Sequence, residues 1–325
     1  MKALLVTCGL AVTLAASAAV TAQSYPSSRP ITLVVPFSAG GPTDTLARIM
    51  SEPMRKALNQ IVVVENTTGA GGTIGSARVA RAAPDGYVLV IGHWGTHVVN
   101  GAYYALPFDL LNDFAQVAMI ATNPQMIVSR LGVPAKDLKE LNAWITANRD
   151  TVRIGTGGVG GASHMAGIYY LNRIGVKLEF IPYRGGAPAL QALMSGEIDI
   201  YVTQVGSAIN LVRAGKVRAY AVTAPNRQQA GPEIPTVDEA GLPGLHTAVW
   251  HGIWAPKATP RDVVMKLNAA IVETLADSGV RERFANLGQE IPPREQQTPE
   301  ALYAHQKAEI ETWWPLIRAA GLKAE

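Results

Sequence analysis

"VVPFSAGGPTDTLAR" (Val34–Arg48) decides how this chain is read. An apolar run gives way to Ser38-Ala39-Gly40-Gly41 and resumes with helical spacing at Leu46, Ile49 and Met50. Strand, small-residue loop and helix in that order open a βαβ unit. Such a loop presents backbone N–H groups and the positive end of a helix dipole. Phosphate, carboxylate and plain chain-turning all compete as its purpose.

The same order of signals recurs downstream. "ITLVVPF" (Ile31–Phe37) reads as a buried strand, followed by a helix in which Pro53 predicts a kink or a shortening. "IVVVEN" (Ile61–Asn66) is the next strand, then the loop "TGAGGTIG", a helix to about Ala83 and the strand "YVLVIGHW" (Tyr87–Trp94). The pattern restarts after Pro124. Strands are expected at 152–157, 178–183, 198–203 and 217–224, with helices between them. The tail is helical: Thr259 and Thr298 read as N-caps, each followed by Pro at the first helical position. The whole is an α/β architecture with largely parallel strands. The chain is expected to cross between two domains near 122–130 and again within the Pro/Gly-rich 224–250.

The first residues set the compartment. Lys2, an Ala/Leu/Val-rich run and "VTA" before Gln23 have the layout of a secretory signal, expected to be cleaved near Ala22. The single cysteine, Cys8, falls inside it, so the exported chain carries no thiol, disulfide or cysteine metal site. The formal charge of +3 comes from basic residues spread along the chain, with no cluster to suggest nucleic acid. No later segment is long and apolar enough to insert stably in a membrane.

Three loops carry N–H and hydroxyl donors with almost no fixed charge: Ser38–Thr43, Thr67–Thr73 and Thr156–Ser163. In open α/β sheets, ligands bind at that carboxyl edge. Nucleotide motifs fail: no Gly-Lys-Ser/Thr occurs, and "GAGGTIG" places its last glycine one position late for G-x-G-x-x-G. "GASHM" around Ser163 lacks the second glycine of a nucleophile elbow. His93 and His97 in "HWGTH" have Trp94 where a zincin needs Glu, so Thr96 and His97 are expected to cap a helix or line a cleft as donors. Arg184, after a strand and before Gly185-Gly186, could hold a carboxylate in a bidentate pair or stand as a solvated surface arginine.

At this point the residues resemble a known family. "YPSSRPITLVVPFSAGGPTDTLAR", "VVVENTTGAGGTIGS", "APDGYVLVIG", "LPFDLLNDFAQVAMIA", "IPYRGGAPALQALMSGEIDI", "VRAGKVRAYAVTA" and "IPTVDEAGLPG" look like the Bug family, the periplasmic substrate-binding proteins of tripartite tricarboxylate transporters. The resemblance is collinear over nearly the whole chain after residue 22. It implies a monomeric, two-lobed, type II-like periplasmic binding protein with two doubly wound α/β domains, a double crossover and a ligand cleft between them. The expected division is 1–22 signal, 23–124 plus 230–325 first lobe, and 125–229 second lobe. The resemblance also implies a small carboxylate ligand, a membrane permease as partner, a periplasmic location and no cofactor or metal.

By the same resemblance, one carboxylate is held at Phe37, Ser38, Ala39, Gly40, Gly41, Thr43 and Asp44. The far lobe contributes Thr156, Gly157, Ser163, Tyr183 and Arg184, and the third strand contributes Thr96 and His97. One departure stands out: many relatives carry an acidic residue after the strand "IDIYV", where this chain has Thr203-Gln204. An acid there could pair with a ligand amine and Thr cannot. The expected ligand is therefore a dicarboxylate or other simple carboxylic acid, aromatic acids included. The alternatives are an exported hydrolase using Ser163 and a ligand sensor for a signalling receptor.

Overall fold

Strand β1 (Ile31–Val35) is buried at every position but Thr32, as a strand with parallel neighbours on both sides must be. The neighbours are β2 (Val62–Asn66) and β3 (Val88–His93), with Leu33 opposite both Val64 and Leu89. The computed structural model describes residues 25–37, 39–183 and 185–319; the expected signal segment, Ser38 and Arg184 lie outside the described residues. Helix α1 (Pro42–Leu58) joins β1 to β2, and α2 (Thr73–Ala80) joins β2 to β3. The helix is not shortened at Pro53: α1 runs through it to Leu58. Burial of Met50, Met54 and Leu58 on its inner face contributes roughly 1.5–3 kcal/mol each. That outweighs the ~3 kcal/mol cost of an interior proline.

After a π-helical turn (Gly95–Val99) and α3 (Asn100–Tyr103), the chain enters β4 (Phe114–Ser129), which organises the molecule. Its first part, to Pro124, pairs antiparallel with β9 (Ala248–Pro256), which in turn pairs antiparallel with β3. Its second part, Gln125–Ser129, pairs antiparallel with β7 (Ile200–Gln204), and Met126–Ser129 also pairs with β8 (Arg218–Val222). The order along the curled sheet is β2-β1-β3-β9-β4-β7-β5-β6, with β5 (Ile154–Thr156) and β6 (Phe180–Pro182) parallel to each other. Neither β4 nor β9 was expected as a strand, so the sheet is mixed rather than largely parallel. Two register shifts bend the β4–β9 ladder, and Pro124 sits where β4 changes partners, so its missing N–H breaks no continuous ladder.

The remaining helices are α4 (Leu138–Ala147), α5 (Ala162–Arg173), α6 (Gly186–Ser195), α7 (Val205–Arg213), α8 (Arg261–Ala276), α9 (Ser278–Asn286) and α10 (Pro299–Ala319). Four cores result. One packs α1, α8 and α9 on the first part of the sheet, and a second packs α10 with Val34, Val90 and Trp254 on its other face. Two more cover the second part, with α4 and α5 on one face and α6 and α7 on the other. Thr298 caps α10 through the Ala301 N–H. Thr259 does not cap α8, because its hydroxyl donates to the Pro256 carbonyl at 2.7 Å and the helix starts at Arg261. The result is a two-lobed α/β fold strung on β4. Val237 and Leu245 pack in the second-lobe core, although 230–247 was expected with the first.

Candidate functional site

The direction of β4 determines where loops meet. Strand β3 runs parallel to the first part of β4, through antiparallel β9, so the carboxyl end of β3 points toward the second lobe. Strand β7 runs antiparallel to β4, so its carboxyl end points back toward the first lobe. His93 lies opposite His251, which lies opposite Ala121; Gln204 lies opposite Gln125. The two carboxyl edges therefore face each other along four residues of β4, about 13 Å at the usual strand rise.

On the first-lobe edge, Asp44 shapes the loop. One carboxylate oxygen accepts from the Gly40 N–H and from Arg48 Nε, both at 2.8 Å; the other accepts from Asn66 Nδ2 at 2.9 Å. Asn66 also donates to the Phe37 carbonyl at 2.9 Å, clipping the loop to the end of β2. The Arg48 hydrogen bond leads in pulling the buried Asp44 down to about 2. Its charge and the Gly40 N–H are thus spent inside the loop, while Ala39 and Gly40 stand exposed. Gly40 holds a φ of 80°, a left-handed turn suited to glycine.

Beneath the loop lies a bed of neutral rings. Phe37 stacks on His93 at 4.6 Å, and Thr43 Oγ1 sits 3.2 Å from His251 Nε2. Burial lowers His93 to about 4 and His97 to about 3, and lowers His251 well below the ordinary value. His93 Nδ1 accepts from the Gly95 N–H, which leaves its proton on Nε2. Thr96 Oγ1 donates to the His93 carbonyl, so the 2.9 Å contact to His97 Nδ1 is donated by the ring. His97 stacks on Trp254 at 3.7 Å and is wholly buried. Thr96 and His97, expected in a cleft or at a cap, are instead turned inward, because Gly92 leaves the room that the His97 ring fills.

The 67–73 loop packs alongside: a Cβ at Gly72 would lie 2.6 Å from Thr96 and 3.3 Å from Phe37.

The second-lobe edge is held by hydroxyls. Thr156 Oγ1 donates to the Gly158 carbonyl at 3.0 Å and lies 3.2 Å from Ser163 Oγ. Ser163 Oγ accepts from the Gly157 N–H at 2.9 Å. The Tyr201 hydroxyl, from the neighbouring strand β7, lies against Gly157 beside them. A Cβ at Gly157 would lie 3.1 Å from both the Gly186 nitrogen and that hydroxyl, so glycine gives these loops room for a close approach. Among the described residues Ser163 has no histidine or carboxylate partner, and His164 Nδ1 accepts from the Gly160 N–H. Tyr183 is not part of this knot: its hydroxyl donates to Glu197 at 2.8 Å, and burial first, then Glu197, pushes it up to about 12. Thr203 is buried opposite Met126, and Gln204 is half-buried. Among the described residues, no group of three His, Cys, Asp or Glu side chains is placed to hold a metal ion.

Asn66, Tyr201 and His251 were not read as site residues. Two had a signal: Asn66 is the polar end of "VVVEN", and Tyr201 shares a strand face with Thr203. His251 lies in the unforeseen β9.

The sequence matches the family described as "Tripartite tricarboxylate transporter family receptor" over residues 46–322. It is 41% identical over 299 residues, 92% of this chain and 86% of the other, to a "UPF0065 protein in the TAR-I ttuE-ttuC' intergenic region" of Agrobacterium vitis. Among solved structures it is similar to MatC of Rhodopseudomonas palustris with bound malate: 39% identity, TM-score 0.74, 89% of this chain and 99% of that one. A second R. palustris protein, solved with adipate, is 30% identical with a TM-score of 0.75, covering 92% and 99%. The two solved relatives share the fold over nearly the whole of their own length. The chain belongs to the receptor family of tripartite tricarboxylate transporters, the Bug-type periplasmic solute-binding proteins, which are receptors and not enzymes.

Proposed function

We propose that this receptor captures a small dicarboxylate between its two carboxyl edges, closes over it as a monomer and delivers it to the membrane permease of a tripartite transporter. The observation that carries this reading is the pair of facing loops, both rich in N–H and hydroxyl donors. One carboxylate is placed at Ser38, Ala39 and Gly41 and the other near Thr156–Ser163 and Arg184. The relatives solved with malate and adipate support a ligand with two acid groups. An ammonium finds no free counter-charge in the described loops: Asp44 is consumed by Arg48, Asn66 and Gly40, and Thr203-Gln204 follow β7. The proposed lobes are 23–124 plus 248–325 and 125–247, and the packing of Val237 and Leu245 with α4 and α5 supports a second crossing at the start of β9. Export with cleavage near Ala22 completes the reading.

Calorimetric titration with malate, adipate, benzoate and aspartate tests it. Binding of a dicarboxylate with no response to aspartate is expected. Tight aspartate binding with no binding of malate or adipate overturns it.

A further inference from the structure

Gly206 stands in the first turn of α7, directly after Thr203-Gln204. A Cβ placed on it would lie 2.5 Å from the Leu287 carbonyl oxygen; one placed on Gly288 would lie 2.5 Å from Gly206 Cα. Both obstacles are backbone, which cannot swing aside like a side chain. The contact joins the lobes, because α7 packs in the second-lobe core through Val205, Ala208 and Ile209. Gly288 follows α9, whose Val280 and Phe284 sit in the first-lobe core. Beside the contact, a groove of about 830 Å³ separates the two helices, walled by Asn210 and Arg213 on one side and Arg281 and Ala285 on the other.

Local conformation does not explain Gly206. Gly288 has a φ of 65°, but Gly206 has no positive φ and sits in a helix, where glycine is disfavoured. What the glycine does supply is a close approach of two backbones. The opposite flank is built differently: Met165 and Tyr169 of α5 pack with Trp94 and Trp313 in one apolar cluster. Broad, deformable side-chain packing on one flank and bare backbone on the other suits a rotation with its tightest clearance at the glycines.

We propose that the Gly206–Gly288 contact is the bearing on which the lobes close, and that Gly206 is a positioning residue that sets ligand affinity. A side chain there holds the lobes apart, and a receptor whose competent state is less populated shows a proportionally weaker apparent affinity. This rests on the proposed function only for the acid used in the binding arm.

The test places spin labels on the exported protein at cysteines substituted for Asn210 and Arg281, both exposed. Interlabel distances are measured without ligand and with malate, alongside calorimetry on the unlabelled protein. Gly206→Ala is expected to shift the ligand-free distances outward and to weaken malate binding about tenfold or more, with cooperative melting retained. Gly288→Asn, which tolerates the left-handed backbone, approaches the same contact from the other side and should act in the same direction; it decides the matter if Gly206→Ala does not fold. Parental distances in both variants overturn the proposal, whatever the affinity does. A parent protein that binds none of the acids fails the functional reading, while the ligand-free distances still decide this one.

Discussion

The two loops that face each other across β4 are held by opposite chemistry. The first-lobe loop is tied by an ion: Asp44 gathers Gly40, Arg48 and Asn66, and the loop lies on a bed of buried neutral histidines. The second-lobe loop is tied by hydroxyls of Thr156 and Ser163, with Gly157 admitting the close approach of the Tyr201 hydroxyl. Each gives a preorganised set of donors, but the first rests on a carboxylate and three histidines, whereas the second rests on hydroxyls with a single histidine, His164, at Gly160. Acid should therefore undo one edge of the cleft before the other.

The largest expected effect follows from the histidines. Their folded pKa values lie below the ordinary 6.5, so the unfolded chain binds more protons and stability falls as pH drops through 6.5 toward the folded values. By pH 5, His93 and His97 should each have lost about 2 kcal/mol relative to pH 7. Denaturant midpoints across that range check this, and a flat profile would break the contrast between the loops. The Asp44 contribution has the same sign but a lower window. It is present above the ordinary carboxylate range and lost only as pH falls from about 4 toward 2.

Next in size is Asp44→Ala, which strands the Gly40 N–H and Asn66 and frees a half-exposed Arg48. A loss of about 2 kcal/mol in chemical denaturation is expected, discounted for the exposure of Arg48. Ligand affinity should fall further than stability, since the loop that presents the donors loses its shape. Equal losses in both would reduce Asp44 to a fold residue. Ser163→Ala is the smallest change: about 1 kcal/mol from the lost Gly157 and Thr156 bonds, with no change in the pH profile. A steeper acid dependence in that variant would show the second loop to be ionic after all.

The βαβ rhythm and the loop positions were legible because each rests on local pattern: apolar runs, small residues, helical spacing. The strands β4 and β9 were not. Thr122-Asn123-Pro124 reads as a stop, yet β4 continues through it because Pro124 falls where its neighbours exchange. "AVWHGIWAP" follows a Pro/Gly-rich stretch and was absorbed into the crossing. The same division runs through the site. Residue types at the loops could be read from sequence, but the direction of a hydroxyl or ring is set by partners far away in the chain. Thr96 and His97 turned inward for that reason, Tyr183 turned toward Glu197, and His251 entered from a strand no pattern announced.

The threading of β4 also orders the birth of the molecule. The two cores of the second lobe draw on residues between Gln125 and Thr247, so that lobe can condense as soon as this stretch is available. The first lobe cannot: the free edge of β3 waits for β9, and Gln306 bonds the His97 carbonyl across 209 positions of chain. Pairings this remote are slow to form, and an unpaired apolar strand edge is a template for other chains. The lobe that was first to be synthesised is the last to be finished, and until α10 arrives it is the part of the protein most in need of protection from its own kind.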